Sequence, residues 1–246
     1  MTAPGAGRIR RGLSTSYAPD RKAERPIAHL EGFKGILQVD GYAGYRKLAD
    51  RGDVRLAFCW SHVRRNFYEL ATPGPAPIAS EALEHIAALY AVEKDIRGRG
   101  ADERRAVRQQ KSRSLLDALE PWLRAKLAVI SQKSKLAEAI RYTLSRWEGL
   151  TRFIEDGRIE LDNNTVERSI CPIALNRKNA LFAGSDGGAE HWATIASLIE
   201  TCKLNDLDPL AYLADVLTRI SNAHPNSDID RLLPWAYRKQ DLKAVA

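Results

Sequence analysis

The feature that most constrains the fold is a change of hydrophobic period at the segment TPGPAP, residues 72–77. Three prolines and a glycine in six positions interrupt regular structure there. Beyond this break, apolar residues recur at the helical spacing i, i+3, i+4 and i+7, which predicts three or four helices between residues 78 and 148. Before it, the apolar runs are short. The chain therefore combines a small strand-containing part with a helical block.

Two short strands are predicted before the break. GILQVDGY (35–42) contains an apolar run that ends in Asp40 and a glycine turn. VRLAFCW (54–60) leads directly into a helix-like stretch, SHVRRNFYELA (61–71), for which Ser61 is a plausible N-cap. A strand that ends in an acid and a turn is a common way to place a carboxylate at a sheet edge.

After the helical block, a short strand and further helices are predicted. GRIEL (157–161) could form the strand, and DNNTVERSI (162–170) is typical of a capped helix start. Another amphipathic helix spans about 192–199, and Asp208 with Pro209 supplies the cap and first residue of the last helix. Two or three strands cannot make a well-covered sheet alone, so we expect a small or incomplete sheet.

The overall composition limits the function classes. The 246 residues include 38 Lys and Arg against 31 Asp and Glu, a net charge of +7, which permits a polyanionic partner without demonstrating one. Three cysteines argue against a disulfide-stapled secreted scaffold. No apolar run approaches the roughly 18 residues that a membrane span needs. The sequence therefore predicts a soluble, cytoplasmic protein with no membrane partner.

Two basic stretches receive structural interpretations first. Residues 1–16 are rich in Gly, Ser and Arg without any period, which predicts a disordered start; a basic arm that touches phosphate is the alternative. Residues 97–126 hold nine Lys and Arg against four Asp and Glu, and we interpret them as a solvated helix face.

Two carboxylates are the first candidates for chemistry. Asp40 ends an apolar strand, and Glu167 lies far along the chain at a polar helix start. Hard cations such as Mg²⁺ take oxygen ligands and often use one or two carboxylates plus substrate phosphates. The alternative is structural, because a strand-end Asp is often a turn residue and a Glu in a first helical turn often supports a cap.

A C-x-x-H unit stands at the second strand-to-helix junction. It consists of Cys59 and His62, whereas Cys171 and Cys202 stand alone. A structural zinc site usually needs four ligands in two spaced pairs, so the sequence disfavours one here. It favours His62 beside an active site or as a buried, hydrogen-bonded histidine.

Basic side chains follow both of these candidate regions closely. They are Arg64, Arg65, Arg168, Arg177 and Lys178. Arginines at a phosphodiester site bind backbone oxygens in bidentate pairs, and the clustering favours such contacts over surface salt bridging. The motifs of P-loop NTPases and of the α/β-hydrolase elbow do not occur, which argues against those two classes.

Several longer stretches form a specific combination of motifs. They include LQVDGYAGY (37–45), FCWSHVRRNFYEL (58–70), QKSKLAEAIRYTLSRW (132–147), DGRIELDNNTVERSI (156–170) and DPLAYLADVLTRI (208–220). Through them, and from about residue 17 to the end, the chain resembles the C-terminal half of an IS66-family insertion-sequence transposase.

The resemblance implies an α/β fold, a ribonuclease-H-like DDE (Asp-Asp-Glu) core with an all-α insertion and a helical C-terminus. Asp40 matches the second catalytic Asp of the family and Glu167 its Glu, while Cys59 and His62 match the C-x-x-H motif. The implied cofactor is Mg²⁺ or Mn²⁺, held by Asp40 and Glu167, with His62 supporting the site. The basic residues named above would then contact DNA phosphates.

The chain departs from the family pattern in two places. Cys171 stands where the resemblance leads us to expect an arginine, which would weaken a DNA contact. The first catalytic Asp should lie on a strand upstream of Asp40, but the acids there, Asp20, Glu24 and Glu31, have no strand-like context. The resemblance therefore implies an N-terminally truncated core that lacks its first strands, holds metal weakly or not at all, and has little activity.

These considerations give a domain plan and a set of partners. Expected partners are transposon-end and target DNA, and full-length transposase or a second copy of the chain. Alternative hypotheses are a non-catalytic DNA- or transposase-binding remnant and an unfolded pseudogene product. The predicted regions are a disordered non-family tail (1–16), the first part of the core (17–72), the helical insertion (73–150), the second part of the core with Glu167 (151–200) and a C-terminal helical region (201–246).

Overall fold

The computed structural model describes residues 12–176 and 184–237. The chain divides into a larger unit, residues 20–168, and a smaller unit that groups residues 1–19 with 169–246. The described residues of each unit contain a hydrophobic core of their own. Most described residues are helical, as the hydrophobic period predicts.

The larger unit contains two strands among its helices. In chain order these are α1 (Glu24–His29), β1 (Gly35–Val39), α2 (Arg46–Ala49), β2 (Val54–Phe58), α3 (Trp60–Ala71), α4 (Pro77–Asp95), α5 (Ala101–Val107), α6 (Arg113–Val129), α7 (Lys135–Leu144) and α8 (Trp147–Thr151). A π-helical turn, Arg108–Ser112, joins α5 to α6. The next helix, α9 (Asn164–Asn176), begins in the larger unit.

The two predicted strands before the proline-rich break are confirmed. β1 and β2 pair in parallel, with Gly35 opposite Val54 and Val39 opposite Phe58. They form a two-stranded sheet, the only one among residues 12–176 and 184–237. The α3 helix begins one residue earlier than predicted. Ser61 is not its cap, because Cys59 precedes the helix and no side chain caps that end.

The helical block after the break is also confirmed and builds the core of the larger unit. Its helices pack on α3, whose Trp60 and Phe67 are almost fully buried. Ile86, Leu123 and Ile140 come from α4, α6 and α7, and are as deeply buried. Truncation of such large side chains typically costs about 2–5 kcal/mol, so this packing holds α3 firmly in place.

The basic stretch 97–126 is not simply a solvated face, because Arg108 is completely buried. Its guanidinium donates two hydrogen bonds to the Glu93 carboxylate, each 2.7 Å long. The third nitrogen donates to three backbone carbonyls, those of Phe153, Asp156 and Ile159. We call these five residues the Arg108 cluster. A buried charge is stable only when it is fully paired. Because the partners of Arg108 lie in distant segments, the polar character of arginine in the sequence predicts exposure and not this burial.

The strand predicted at GRIEL (157–161) is wrong, since the described structure has only turns and irregular backbone there. Its backbone carbonyls accept hydrogen bonds from side chains and from the N–H of a helix start, not from a strand backbone. The Gln38 amide donates to the Glu160 carbonyl (2.8 Å), and the Trp60 N–H donates to the Leu161 carbonyl (3.1 Å). Arg108 also donates to the Ile159 carbonyl. These three carbonyls therefore have hydrogen-bond donors without a neighbouring strand.

In the smaller unit, α10 (Asp186–Leu204) and α11 (Pro209–Ser221) enclose a separate core. The core comprises Cys202, Tyr212, Val216, Leu232 and Tyr237. Asp208 caps α11 as predicted, since its side chain accepts the Ala211 N–H at 2.7 Å.

The start of the described chain bonds to α10 within the smaller unit. The Leu13 N–H donates to the Thr201 hydroxyl (3.0 Å), and the Thr15 N–H donates to the Ser197 hydroxyl (2.8 Å). These residues belong to the segment 1–16, of which residues 1–11 lie outside the described part. Throughout the described residues, we find no helix whose length and apolar character would let it cross a membrane.

Candidate functional site

The site begins at the carboxyl edge of the two-stranded sheet. Because Val39 pairs with Phe58, the residues that follow them, Asp40 and Cys59, leave the sheet side by side. In parallel sheets this edge is where ligands commonly bind. After Asp40 the backbone turns through Gly41, whose φ of 98° favours glycine.

The start of α9 is bound to the same edge. The Asn163 N–H donates to Cys59 Sγ at 3.4 Å, next to the hydrogen bond between Trp60 and Leu161. Glu167 lies in the first turn of α9, so this attachment carries its carboxylate toward α3. His62 Nε2 and Glu167 Oε1 are 3.5 Å apart as a result.

Cys59, His62 and Glu167 together form what we call the Cys59 cluster. A sulfur, an imidazole nitrogen and a carboxylate oxygen from these residues all lie within 4.8 Å of one another. Cys59 is buried, and the other two are half-buried. The C-x-x-H motif indicates the first pair from sequence; the third member comes from a segment more than 100 residues away and is supplied by the tertiary structure.

Only some of the polar atoms in and around the Cys59 cluster have hydrogen-bond partners in the described structure. The Ser61 hydroxyl lies 2.9 Å from Cys59 Sγ. His62 Nδ1 and Asn163 Oδ1, however, are buried without a hydrogen-bond partner in the described structure. A buried polar atom without a partner costs about 1–3 kcal/mol, and such atoms often mark functional sites.

Asp40 lies near the Cys59 cluster without belonging to it. Its side chain is exposed, and its Oδ1 accepts the Tyr42 N–H at 3.0 Å. The Tyr142 hydroxyl donates to the Asp40 backbone carbonyl at 3.3 Å. Burial raises the pKa of that hydroxyl, Arg146 opposes the rise, and negative charge on Asp40 and Cys59 adds to it. The Tyr142 hydroxyl therefore lies close enough to Asp40 and Cys59 to interact electrostatically with both.

Residues of α7 and the turn after it hold the turn that follows Asp40, a role not evident from sequence. The Arg146 guanidinium stacks 3.8 Å from the Tyr142 ring centroid and donates to the Gly41 carbonyl at 3.5 Å. A Cβ atom at Gly41 would lie 2.8 Å from the Tyr142 hydroxyl and 3.2 Å from Arg146 Nε. The helical period of this stretch shows its buried face but not this contact.

A second pair, Tyr90 and Asp162, fixes the start of α9. Burial raises the pKa of the Tyr90 hydroxyl strongly, and the charge and hydrogen bond of Asp162 raise it further. Asp162 also accepts hydrogen bonds from the Asn164 N–H (3.1 Å) and the Asn164 side-chain amide (2.7 Å). These contacts fix the turn from which Glu167 projects.

The predicted phosphate-binding arginines of the larger unit are exposed. Arg65 stands one helical turn after His62 on α3, and Arg64 lies 5.5 Å from the Tyr68 ring centroid. Arg168 directly follows Glu167, and its Nη2 lies 3.4 Å from the Thr165 hydroxyl. The other two predicted contacts, Arg177 and Lys178, lie outside the described residues.

Comparison with known families fits this arrangement. The model for "Transposase IS66 family" matches residues 12–191, which include every member of the Cys59 cluster and Asp40. The chain belongs to the IS66 transposase family. The "IS66 C-terminal element" matches residues 197–235 of the same family member. The family match thus starts at residue 12, slightly earlier than the sequence motifs indicate.

Curated relatives of this IS66 family member come from Sinorhizobium fredii (strain NBRC 101917 / NGR234). Uncharacterized protein y4qI is 42% identical over 96% of this chain and 49% of its own length. Uncharacterized protein y4hP is 42% identical over 92% of this chain and 44% of its own length. The chain spans about half the length of these relatives. No solved structure matches it significantly, so the ribonuclease-H-like core remains a prediction.

DDE transposases usually use a divalent metal, and the donor atoms show which residues fit one. Asp40 and Glu167 offer carboxylate oxygens, which suit Mg²⁺ with water and phosphate completing its shell. The Cys59 cluster does not suit Mg²⁺, because two of its three donors are sulfur and nitrogen. No other group of three such donors occurs among residues 12–176 and 184–237.

Proposed function

We propose that this chain carries two of the three catalytic acids of an IS66 transposase, Asp40 and Glu167. The intact enzyme would cut DNA at transposon ends and join the 3′ ends to target DNA. The observation that supports this proposal is the meeting of three segments at one sheet edge, where β1 ends at Asp40, β2 ends at Cys59, and the start of α9 is bonded to Cys59.

Each residue has a distinct role in the proposed chemistry. Mg²⁺ or Mn²⁺, held by Asp40 and Glu167, would activate the attacking water or hydroxyl and stabilise the leaving oxygen. His62 would position Glu167 through their contact at 3.5 Å. The three exposed arginines would bind backbone phosphates and hold the DNA against the sheet edge. They are Arg64, Arg65 and Arg168.

We infer that none of the three acids upstream of Asp40 supplies the third catalytic carboxylate. Asp20 is engaged by Arg25, at 3.2 Å, and by the Lys22 N–H, at 3.1 Å. Glu24 lies in α1, and Glu31 follows that helix, so none of the three is on a strand. We therefore expect little or no cleavage by this chain alone, because two carboxylates position a catalytic metal poorly.

A nuclease assay tests this function. The purified chain is incubated with labelled transposon-end DNA and Mg²⁺ or Mn²⁺, and only trace cleavage is expected. In a full-length IS66 transposase, asparagine or glutamine at the positions aligned with Asp40 and Glu167 should abolish cleavage without abolishing DNA binding. Robust metal-dependent cleavage by this chain, lost in Asp40→Ala, would disprove the expected inactivity; full cleavage by the substituted full-length enzyme would disprove the catalytic roles.

A second candidate function is DNA or transposase binding without catalysis. The exposed Arg64, Arg65 and Arg168 favour it, because they can contact phosphates without any metal. Under this alternative, DNA binding weakens steeply with salt and does not respond to Mg²⁺. A cooperative thermal melt of the purified chain separates both functions from an unfolded product.

A further inference from the structure

We propose that the Cys59 cluster binds one divalent transition-metal ion of the zinc class. The ligands would be the Cys59 sulfur, His62 Nε2 and a carboxylate oxygen of Glu167. Sulfur, imidazole nitrogen and carboxylate oxygen are the three donor types that zinc takes in proteins. This inference goes beyond the proposed function: Glu167 is shared with the proposed Mg²⁺ site, but Cys59 and His62 replace Asp40 as its partners.

The spacing of the donors is close to that of a tetrahedral site. Zinc lies about 2.0–2.1 Å from nitrogen and oxygen ligands, so two such ligands at a tetrahedral angle are separated by about 3.3 Å. His62 Nε2 and Glu167 Oε1 are 3.5 Å apart. The sulfur lies within 4.8 Å of both groups, whereas a zinc–sulfur bond of about 2.3 Å would place it roughly 3.6 Å from them, so we expect these side chains to close around the ion when it binds.

Two hydrogen-bonding groups lie against the Cys59 sulfur and hold it in place at the sheet edge. The Asn163 N–H donates to Cys59 Sγ, and the Ser61 hydroxyl lies at hydrogen-bonding distance from it. Hydrogen bonds to a ligand atom of this kind orient the ligand and tune the metal. Among the described residues, His62 Nδ1 is buried without a hydrogen-bond partner, while Nε2 faces Glu167 at 3.5 Å.

The ligands come from two segments that meet only in the folded chain. Cys59 and His62 lie at the β2–α3 junction, and Glu167 lies in the first turn of α9. A bound ion would therefore fasten the start of α9 to the sheet edge and stabilise the larger unit. Three protein ligands also leave the fourth tetrahedral position open to water or to an oxygen of a phosphate group.

A cobalt titration of the whole purified chain tests this site. Co²⁺ reports zinc sites because a thiolate ligand adds a charge-transfer band in the near ultraviolet. We expect the band to saturate at one equivalent, and Zn²⁺ to remove it. Cys59→Ser should abolish the band, whereas the matched control Cys171→Ser, which alters an exposed thiol, should keep it. No saturable band, or a band that survives Cys59→Ser, would overturn the proposal.

A second variant guards against loss of the fold in Cys59→Ser, whose side chain is buried. Glu167→Gln changes a half-buried residue and should weaken Co²⁺ binding at least tenfold while far-UV circular dichroism stays unchanged. Zn²⁺ should raise the melting temperature of the wild-type chain by several degrees and that of Glu167→Gln much less. Equal Co²⁺ affinity in Glu167→Gln and wild type would contradict the three-ligand site.

The same titration separates this inference from the proposed function. Asp40→Asn removes a ligand of the proposed Mg²⁺ site and should leave the Co²⁺ band intact. Loss of the band in Asp40→Asn would show that the ion binds elsewhere than the Cys59 cluster. Intact Co²⁺ binding together with full cleavage by the substituted full-length transposase would reject the catalytic assignment and leave the metal site standing.

Discussion

The Arg108 cluster and the Cys59 cluster both bring together polar groups from distant parts of the larger unit. They differ in how completely these groups are hydrogen-bonded. All three Arg108 nitrogens donate hydrogen bonds, and no part of that side chain reaches solvent. In the Cys59 cluster, His62 Nδ1 is buried without a partner in the described structure, and Glu167 is half-exposed.

The difference indicates what each cluster is for. A buried charge with all its hydrogen bonds made stabilises one arrangement of the chain and offers nothing to a ligand. A cluster with ligand-type atoms, incomplete hydrogen bonding and an open side remains available for binding. Arg108 therefore holds the backbone of residues 153–159 in position, whereas the Cys59 cluster keeps donor atoms available for the ion that we propose.

The largest expected effect comes from breaking the satisfied cluster. Arg108→Met should lower the free energy of unfolding by about 3–5 kcal/mol, because it removes five hydrogen bonds, two to the Glu93 carboxylate and three to backbone carbonyls. Urea denaturation measures the loss. The exposed neighbour Arg105→Met is the matched control and should change stability by no more than about 0.5 kcal/mol. Equal, small losses in both variants would refute the structural role of Arg108.

The next effect concerns the turn beside the Cys59 cluster. Gly41→Ala should cost about 1–3 kcal/mol, because a Cβ would clash with the Tyr142 hydroxyl at a φ that already disfavours alanine. Gly52→Ala is the control, since Gly52 also has a positive φ but no described atom lies within 4 Å of its Cβ position. Thermal melts of both variants separate the clash from the backbone strain.

A double variant sharpens this comparison. Tyr142→Phe removes the hydroxyl nearest to the Gly41 position, so Gly41→Ala should cost less in that background than in the wild type. Identical costs in the two backgrounds would show that the hydroxyl does not restrict the turn.

Substitutions of the exposed arginines test whether the Cys59 cluster lies on a DNA-binding surface. Arg64→Ala and Arg65→Ala should each weaken DNA binding and reduce the magnitude of the salt slope by about one, because each removes one phosphate contact. Fluorescence anisotropy at several salt concentrations measures both quantities. Arg105→Ala, an exposed arginine on α5, serves as the control. The Arg105→Ala control should leave the slope unchanged. An unchanged slope in Arg64→Ala and Arg65→Ala as well would rule out this face as the DNA-binding surface.

The smallest effect is a pH dependence at Asp156, whose backbone carbonyl belongs to the Arg108 cluster. Arg158 donates hydrogen bonds to Asp156 and lowers the pKa of that carboxyl to about 2. A lowered folded-state pKa adds stability above the ordinary value of 3.8, and this stability is lost as the pH falls toward 2. In Arg158→Ala, the unfolding free energy should therefore fall less between about pH 5 and pH 2. An identical pH profile would contradict the pairing.

The accuracy of the sequence predictions follows the range over which each signal acts. The strands at Gly35–Val39 and Val54–Phe58 and the helices after residue 77 were predictable, because hydrophobic period is a local property. The strand at 157–161 was predicted wrongly, because side chains distant in sequence supply the hydrogen bonds of that segment. Arg108 was missed for the same reason, since burial of a charge depends on partners that no local pattern reveals.

For the candidate site, the sequence alone determined the family and the residues that carry ligand-type atoms. It did not determine which of these residues lie together. The motifs identified an IS66 transposase, the C-x-x-H pair and two separate acids, because residue types and short spacings are written directly in the chain. Only the tertiary structure joined Glu167 to Cys59 and His62 and left Asp40 outside that cluster. The physical reason is that helix and strand register, backbone hydrogen bonds and core packing decide which of many distant side chains finally come within bonding distance.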